Sequence, residues 1–254
     1  MDNQVLIIMP AFNEAKSIGP VLKALKEATP SFCDILVIND GSTDNTADIC
    51  VKQGILVVNL VYHMGYGAGL QVGYKYAAAH DYKYVIQMDA DGQHDVSNVR
   101  NIYEKLKTVD EKGAMPDVVI GSRFLESSES YKISGLRKFA FKNFSRIIKW
   151  GTKAVVTDPT SGLQGLSHRA FSYYQGYSHF DDKYPDANIV MQMLFLGFNV
   201  VEIPAVMHER TNGSSMHAGL DPIKYMFRMS FSMISVWLRI KVFKVDMGMP
   251  DKIR

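Results

Sequence analysis

Cysteine is nearly absent from this chain. Among 254 residues there are two, Cys33 and Cys50, with no pairing signature and no cysteine–histidine cluster. That excludes a disulfide scaffold and a structural zinc site, and a reduced, cytoplasmic setting is the expectation. Long apolar runs are missing too. No segment reaches the roughly 18 uncharged apolar residues of a membrane span, and the charge-free stretch Met229 to Leu238 has only ten. The opening "MDNQVLIIMP" has no basic region before its short apolar run, so it does not read as a signal peptide. Acidic residues are absent from 131–157 and from 222–245, which hold net charges of +7 and +5 within a total of +2. The remainder is therefore mildly acidic, and the two basic, aromatic-rich segments point to an anionic surface as partner.

What is present suits one globular domain, or one domain with a substantial appendage: 47% of residues are hydrophobic and 21% charged. The first half alternates strand-like and helix-like segments. "VLIIMP" (5–10), "DILVIND" (34–40), "ILVVNLV" (55–61), "KYVIQMD" (83–89) and "PDVVIGS" (116–122) read as strands. Residues 15–28, a stretch reaching about Lys52 and capped by Ser42 or Thr43, 69–80 and 97–109 read as helices. Repeated βα units predict an α/β fold with a mostly parallel sheet covered on both faces. Ligands of such sheets bind beyond the carboxyl ends of the strands. Asn13 and Glu14, Asp40, the stretch His63 to Gly69, and Asp89 and Asp91 all fall there.

The sharpest signal is "DADGQH" (89–94), two carboxylates one residue apart directly after a buried strand. Such a pair suits Mg²⁺ or Mn²⁺, which take oxygen ligands and bridge to phosphates, and Gln93 offers one more oxygen. A solvated acidic turn is the plain alternative. The glycines of "HMGYGAGLQVG" (63–73) resemble half of a dinucleotide fingerprint. They follow the third strand, with no acidic residue at the expected distance, so nicotinamide binding is not expected. Close backbone approach to a nucleotide or to a neighbouring strand is. "PAFNE" (10–14) and "NDGSTDNT" (39–46) combine turn and capping residues with polar groups at strand ends, Pro10 ending the first strand. In "GSRF" (121–124), Arg123 is a candidate phosphate clamp. Asp158 stands beside the "TSG" turn, Asp186 is at a helix start where capping acids belong, and Arg210 lies in the polar loop "HERTNGSSMH" (208–217).

The ordered set "IIMPAFNEAKSI", "VINDGSTDNT", "YGAGLQVG", "MDADGQH", "GSRF" and "TSGLQG" resembles the family 2 glycosyltransferases over about residues 4–215. Within them the chain is similar to the polyprenyl-phosphate sugar transferases of the dolichyl-phosphate mannose synthase type. The resemblance implies a GT-A fold over 1–220, a nucleotide-diphosphate sugar donor, with UDP preferred, and a divalent metal, Mg²⁺ or Mn²⁺, at Asp89, Asp91 and Gln93. By the same resemblance Pro10, Ala11, Asn13, Glu14 and Asp40 line the nucleoside and Gly67 lies near base or ribose. Asp89 also meets the donor, Arg210 reaches its phosphates, and Arg123 holds the sugar or the acceptor phosphate. Asp158 and Asp186 stand where candidate catalytic carboxylates are found, Asp158 the first choice. Met216, followed by His217, occupies the place of a lysine in the dolichyl-phosphate relatives. The Q-x-x-R-W signature of processive synthases is absent.

The expected reaction is inverting transfer from the donor to a polyprenyl phosphate. The alternatives are extension of a lipid-linked or cell-wall glycan hydroxyl, which needs a carboxylate base, and an inactive nucleotide-sugar-binding protein. A nucleotidyltransferase would need a glycine-rich basic loop after the first strand, which is lacking. A lipid acceptor requires the enzyme at a bilayer. Residues 137–150 and 223–244 both read as amphipathic helices lying in the interface, with 221–254 as a membrane-association segment. On the first, Phe141, Phe144 and Ile148 form the apolar stripe. The expected location is cytoplasmic, peripheral on the inner face of the cell membrane. No nucleic-acid partner is expected, and a homo-oligomer is compatible with the sequence.

Overall fold

The computed structural model describes residues 4–29, 33–110, 113–129, 135–176, 179–181, 184–209 and 221–247. Seven strands form one sheet: β1 (Val5–Ala11), β2 (Cys33–Asn39), β3 (Leu56–Asn59), β4 (Tyr84–Gln87), β5 (Val118–Ser122), β6 (Gln164–Ser167) and β7 (Val200–Pro204). Their order is β3-β2-β1-β4-β6-β5-β7. All are parallel except β6, which runs antiparallel to β4 and β5. The helices are α1 (Ile18–Ala28), α2 (Thr46–Lys52), α3 (Tyr66–Ala79), α4 (Ser97–Leu106), α5 (Gly135–Thr152), α6 (His168–Tyr174), α7 (Ala187–Phe195) and α8 (Asp221–Trp237), the last continued by a π-helical turn, Leu238–Val242.

The sheet is central because its strands carry apolar side chains on both faces. Every residue of β1 is buried. Leu6 and Ile8 point into a core shared with α3, α5, α6, α7 and α8, whereas Val5, Ile7 and Met9 point into a core shared with α1 and α4. This period of two is what a strand covered on both faces requires. Glycines let α3 lie directly on β1: a Cβ on Gly73 would come within 3.0 Å of the Ile8 side chain.

Two topological features create the site. The chain winds from β1 outward to β3, then returns to place β4 on the other side of β1, so β1 and β4 flank a switch point where a crevice opens. The antiparallel β6 then enters the sheet from that same edge. Gln164 pairs with Gln87 at the end of β4, and with Ile120 of β5. The turn preceding β6 is thereby delivered to the carboxyl edge of its neighbours.

Several sequence expectations are corrected. Pro10 does not end β1, which continues to Ala11 with Pro10 in register with Ile38. Ser42 and Thr43 do not cap α2; the residue before that helix is Asn45 and makes no side-chain cap. Phe144 and Ile148 of α5 are fully buried, so the apolar stripe assigned to an interface belongs to the core. α8 packs on α5 and α7 and buries Met229 and Met233 in the main core.

Candidate functional site

The loops after β1 and β2 are laced together by hydrogen bonds. Asn13, with φ of 56°, donates its backbone N–H to Ser42 Oγ at 2.9 Å and accepts from the Thr43 N–H at 2.8 Å. Asparagine tolerates this left-handed conformation better than most residues. The Glu14 N–H donates to Thr46 Oγ1 and the Ala15 N–H to Asp44 Oδ2. The hydroxyls of Ser42 and Thr46 thus serve the β1 loop. Buried Asp40 accepts from the backbone N–H groups of Met64 and Gly65 at 2.7 and 2.8 Å and meets His63 Nδ1 at 2.8 Å. His63 in turn stacks on Phe12 with ring centroids 3.9 Å apart. Gly41 makes the fit of these loops feasible: its φ is +69°, and a Cβ there would lie 2.7 Å from the His63 nitrogen. Pro10, Ala11, Asn13, Glu14 and Asp40 therefore form one continuous wall. Gly67, buried in the first turn of α3, adjoins the pinned segment 63–65.

The β4 loop answers the problem of two adjacent carboxylates with hydrogen-bond donors. Half-buried Asp89 accepts from the Tyr66 hydroxyl at 2.9 Å and lies 3.3 Å from His94 Nε2. Burial opposes ionisation of Asp89, but His94, Tyr66 and the charge of Arg123 together hold its carboxyl below the usual range. Asp91 is buried and accepts the Gln93 backbone N–H at 3.0 Å. Gly162, in the turn before β6, faces Asp89; a Cβ there would stand 2.7 Å from Oδ2. The absence of a side chain lets this turn pack directly on the carboxylate.

Arg123 and Asp158 are brought together in a two-pronged pair. Nε donates to Oδ2 and Nη2 to Oδ1, both at 2.6 Å, and the Arg123 backbone N–H adds a third bond at 3.0 Å. Asp158 is fully buried. Its own backbone N–H donates to Glu202 Oε1 at 2.8 Å, while the Thr157 N–H donates to Oε2 at 2.7 Å. Burial raises the Glu202 carboxyl above its ordinary range, against those N–H groups. The Phe141 ring covers the guanidinium of Arg123 at 4.9 Å.

Asp186 precedes α7 but makes no side-chain cap. Instead its carboxylate accepts the hydroxyl of Tyr225 from α8. Burial pushes the Asp186 carboxyl up to about 6, against the opposing influence of Tyr225 and Arg123. Asp89, Arg123 and Asp186 thus lie within electrostatic reach of one another. Arg210 falls outside the described residues. Four participants escaped the sequence reading: Tyr66, His94, Glu202 and Tyr225. A lone acid within the apolar run of β7 was a readable sign of Glu202, and His94 stands in the acidic motif itself. Nothing local marked Tyr225.

The model of the family described as glycosyl transferase family 2 matches residues 6–172. The chain belongs to glycosyl transferase family 2. This glycosyltransferase is 33% identical over 168 residues to the uncharacterized protein MJ1222 of Methanocaldococcus jannaschii, the match covering 66% of each. It is 25% identical to the undecaprenyl-phosphate mannosyltransferase of Micrococcus luteus, covering 85% of this chain and 88% of that protein. Identity to the polyprenol monophosphomannose synthase of Mycolicibacterium smegmatis is likewise 25%, covering 89% and 86%. Among solved structures, glucosyl-3-phosphoglycerate synthase from Mycobacterium tuberculosis, in complex with Mn²⁺, UDP-glucose and phosphoglyceric acid, superposes with a TM-score of 0.67 at 17% identity, covering 93% of this chain and 80% of that one. The fold of this glycosyltransferase is the GT-A fold.

The Glu202 arrangement generates a prediction. Glu202→Gln turns an amide NH₂ toward a backbone N–H that now has an acceptor. Leaving a buried donor unsatisfied costs about 1–3 kcal/mol, and urea unfolding at pH 7 should register a loss of that size.

Proposed function

We propose that this glycosyltransferase moves a sugar from a nucleoside diphosphate sugar, UDP-linked by preference, to a polyprenyl phosphate at a membrane surface, with inversion at the anomeric carbon. The observation carrying the proposal is the convergence of Asp89, Asp91, Asp186 and the Arg123–Asp158 pair on one edge of the sheet. The relatives named for undecaprenyl-phosphate and polyprenol substrates support the acceptor class. The complexes with UDP-glucose and Mn²⁺ support the donor and the cation.

The wall from Pro10 to Glu14, with Asp40, receives the nucleoside, and Gly67 lies beside it. Among the described residues no three or more His, Cys, Asp and Glu side chains form a complete metal cage. Two closely spaced carboxylates nevertheless suit Mg²⁺ or Mn²⁺, which take oxygen ligands and would draw the others from diphosphate and water. Asp89 and Asp91, with Gln93, would hold the ion. When bound it supplies positive charge where the leaving diphosphate gathers negative charge. Tyr66 and His94 hold Asp89 ionised and oriented for that purpose.

In the transfer an acceptor phosphate oxygen forms the new bond to the anomeric carbon as the bond to the nucleoside diphosphate breaks, and the electron pair leaves with the diphosphate. A phosphate is already anionic near pH 7 and needs positioning rather than deprotonation. Arg123 supplies positive charge beside the site. Its partner Asp158 is committed to that guanidinium, which leaves it poorly placed to take a proton. The second reading, a glycan hydroxyl as acceptor, is favoured by one observation: Asp186, with a carboxyl near 6, has the properties of a base active at neutral pH.

No helix among the described residues is long and apolar enough to cross a membrane. Access to a lipid would come from α8 lying against the bilayer surface. Phe227, Phe231 and Ile234 form an exposed apolar stripe, with exposed Lys224, Arg228, Lys241 and Lys244 beside or beyond it. On α5 the exposed Lys138, Lys142, Arg146 and Lys149 add positive charge, with Phe139 and Trp150. This supports peripheral attachment at the inner face of the cell membrane.

Asp89→Asn and Asp91→Asn should each lower transfer by about 10²-fold or more while thermal unfolding is unchanged or shifted upward. Near-normal transfer by both variants, independent of added Mg²⁺ or Mn²⁺, contradicts the metal assignment. A triple change of Phe227, Phe231 and Ile234 to serine should reduce sedimentation with anionic vesicles about tenfold. Raising the salt to roughly 0.5 M should weaken wild-type binding only in part. A triple variant that still sediments like the wild type rules out the apolar contribution of α8.

A further inference from the structure

We propose that Arg228 receives the acceptor's phosphate group at the mouth of the site, between the lipid-facing stripe of α8 and the reaction centre. The inference rests on the polyprenyl-phosphate reading above and adds an acceptor-binding residue to it.

Successive helix residues are turned about 100° apart. On α8 this sets Tyr225, Met229, Met233 and Val236 on the inner face and Phe227, Phe231 and Ile234 on the outer one, as their burial shows. Arg228 falls on the border between the two. Its guanidinium lies 4.6 Å over the Tyr184 ring. The Tyr184 ring meets that of Tyr225 edge-on at 5.9 Å, and the Tyr225 hydroxyl donates to Asp186. A line of contacts therefore runs from exposed Arg228 to the carboxylate beside Arg123.

An apolar tail following Phe227 and Phe231 would carry its headgroup toward Arg228 first. Stacking on Tyr184 restricts the guanidinium without using up its N–H groups, since a cation–π contact engages the flat face and leaves the edge to bind oxygen. Anionic Asp186 stands further in along the same line and would repel a phosphate arriving without a counter-charge. A cation at the mouth offsets that repulsion.

The test uses a water-soluble short-chain prenyl phosphate, so that vesicle binding does not enter, and measures KM and kcat for acceptor and donor separately. Arg228→Ala should raise the acceptor KM roughly tenfold and leave the donor KM and kcat within about twofold. Arg228→Lys should fall between, because lysine keeps the charge but not the flat stacked face. Tyr184→Phe should match the wild type, and Tyr184→Ala should resemble Arg228→Lys. If Arg228→Ala does not fold, Arg228→Lys and Arg228→Gln decide by the same split. An unchanged acceptor KM, or a donor KM rising in parallel, overturns the inference while leaving the polyprenyl-phosphate reading standing. A wild-type enzyme that ignores every prenyl phosphate and glycosylates a sugar hydroxyl instead overturns that reading, and the inference with it.

Discussion

The buried pair of Arg123 and Asp158 is the constraint on which the rest of the site depends. Removing two charges from water is costly, and one partner alone would be stranded; breaking such a pair typically costs about 3–5 kcal/mol. The protein meets this cost with geometry. Both carboxylate oxygens of Asp158 accept from the guanidinium, the Arg123 backbone adds a bond, and Glu202 holds the peptide carrying Asp158 from the other side. Three strands are tied together in this way, because Arg123 follows β5, Asp158 precedes β6 and Glu202 sits in β7. The charge so fixed favours the ionised form of Asp89 and restrains the rise of Asp186. Moving the guanidinium would alter both carboxylates even though neither touches it.

The antiparallel β6 is what makes this pair reachable. In a purely parallel sheet, the turn before a strand lies at the opposite edge from the ends of its neighbours. Reversing β6 brings Asp158, Thr160 and Gly162 to the carboxyl edge, where Gly162 packs directly against Asp89. A residue that contributes no side chain and a carboxylate committed to an arginine thus cooperate in one turn.

The first half of the fold was legible because its signals are local. Continuous apolar runs marked β1, β2 and β5, and polar residues at their ends marked the site edge. The packing role of the glycines after β3 against β1 appears only once α3 is laid across it. The second half was harder to read. The four-residue β6 carries Gln164 and Gly165, and no short apolar run announces it. Phe144 and Ile148 show the limit of periodicity: an apolar stripe on a basic helix reads alike whether it faces lipid or core. On α8 the pattern held both answers at once, for Met229 and Met233 face the core while Phe227 and Phe231 face outward. Tyr225 was invisible because its partner, Asp186, lies 39 residues away in the chain. The helix proposed to rest on lipid also holds the Asp186 carboxylate through the Tyr225 hydroxyl.

The central claim is that the acceptor is a phosphate positioned by charge rather than a hydroxyl activated by a base. The direct measurement is transfer from a labelled nucleotide-sugar donor to a matched pair of acceptors, a short polyprenyl phosphate and a lipid ending in a sugar hydroxyl, by the wild type, Arg123→Ala and Asp186→Asn. The account predicts labelled product with the phosphate alone, its loss in Arg123→Ala and substantial retention in Asp186→Asn. Labelled product with the sugar-bearing lipid alone, abolished by Asp186→Asn, would contradict it.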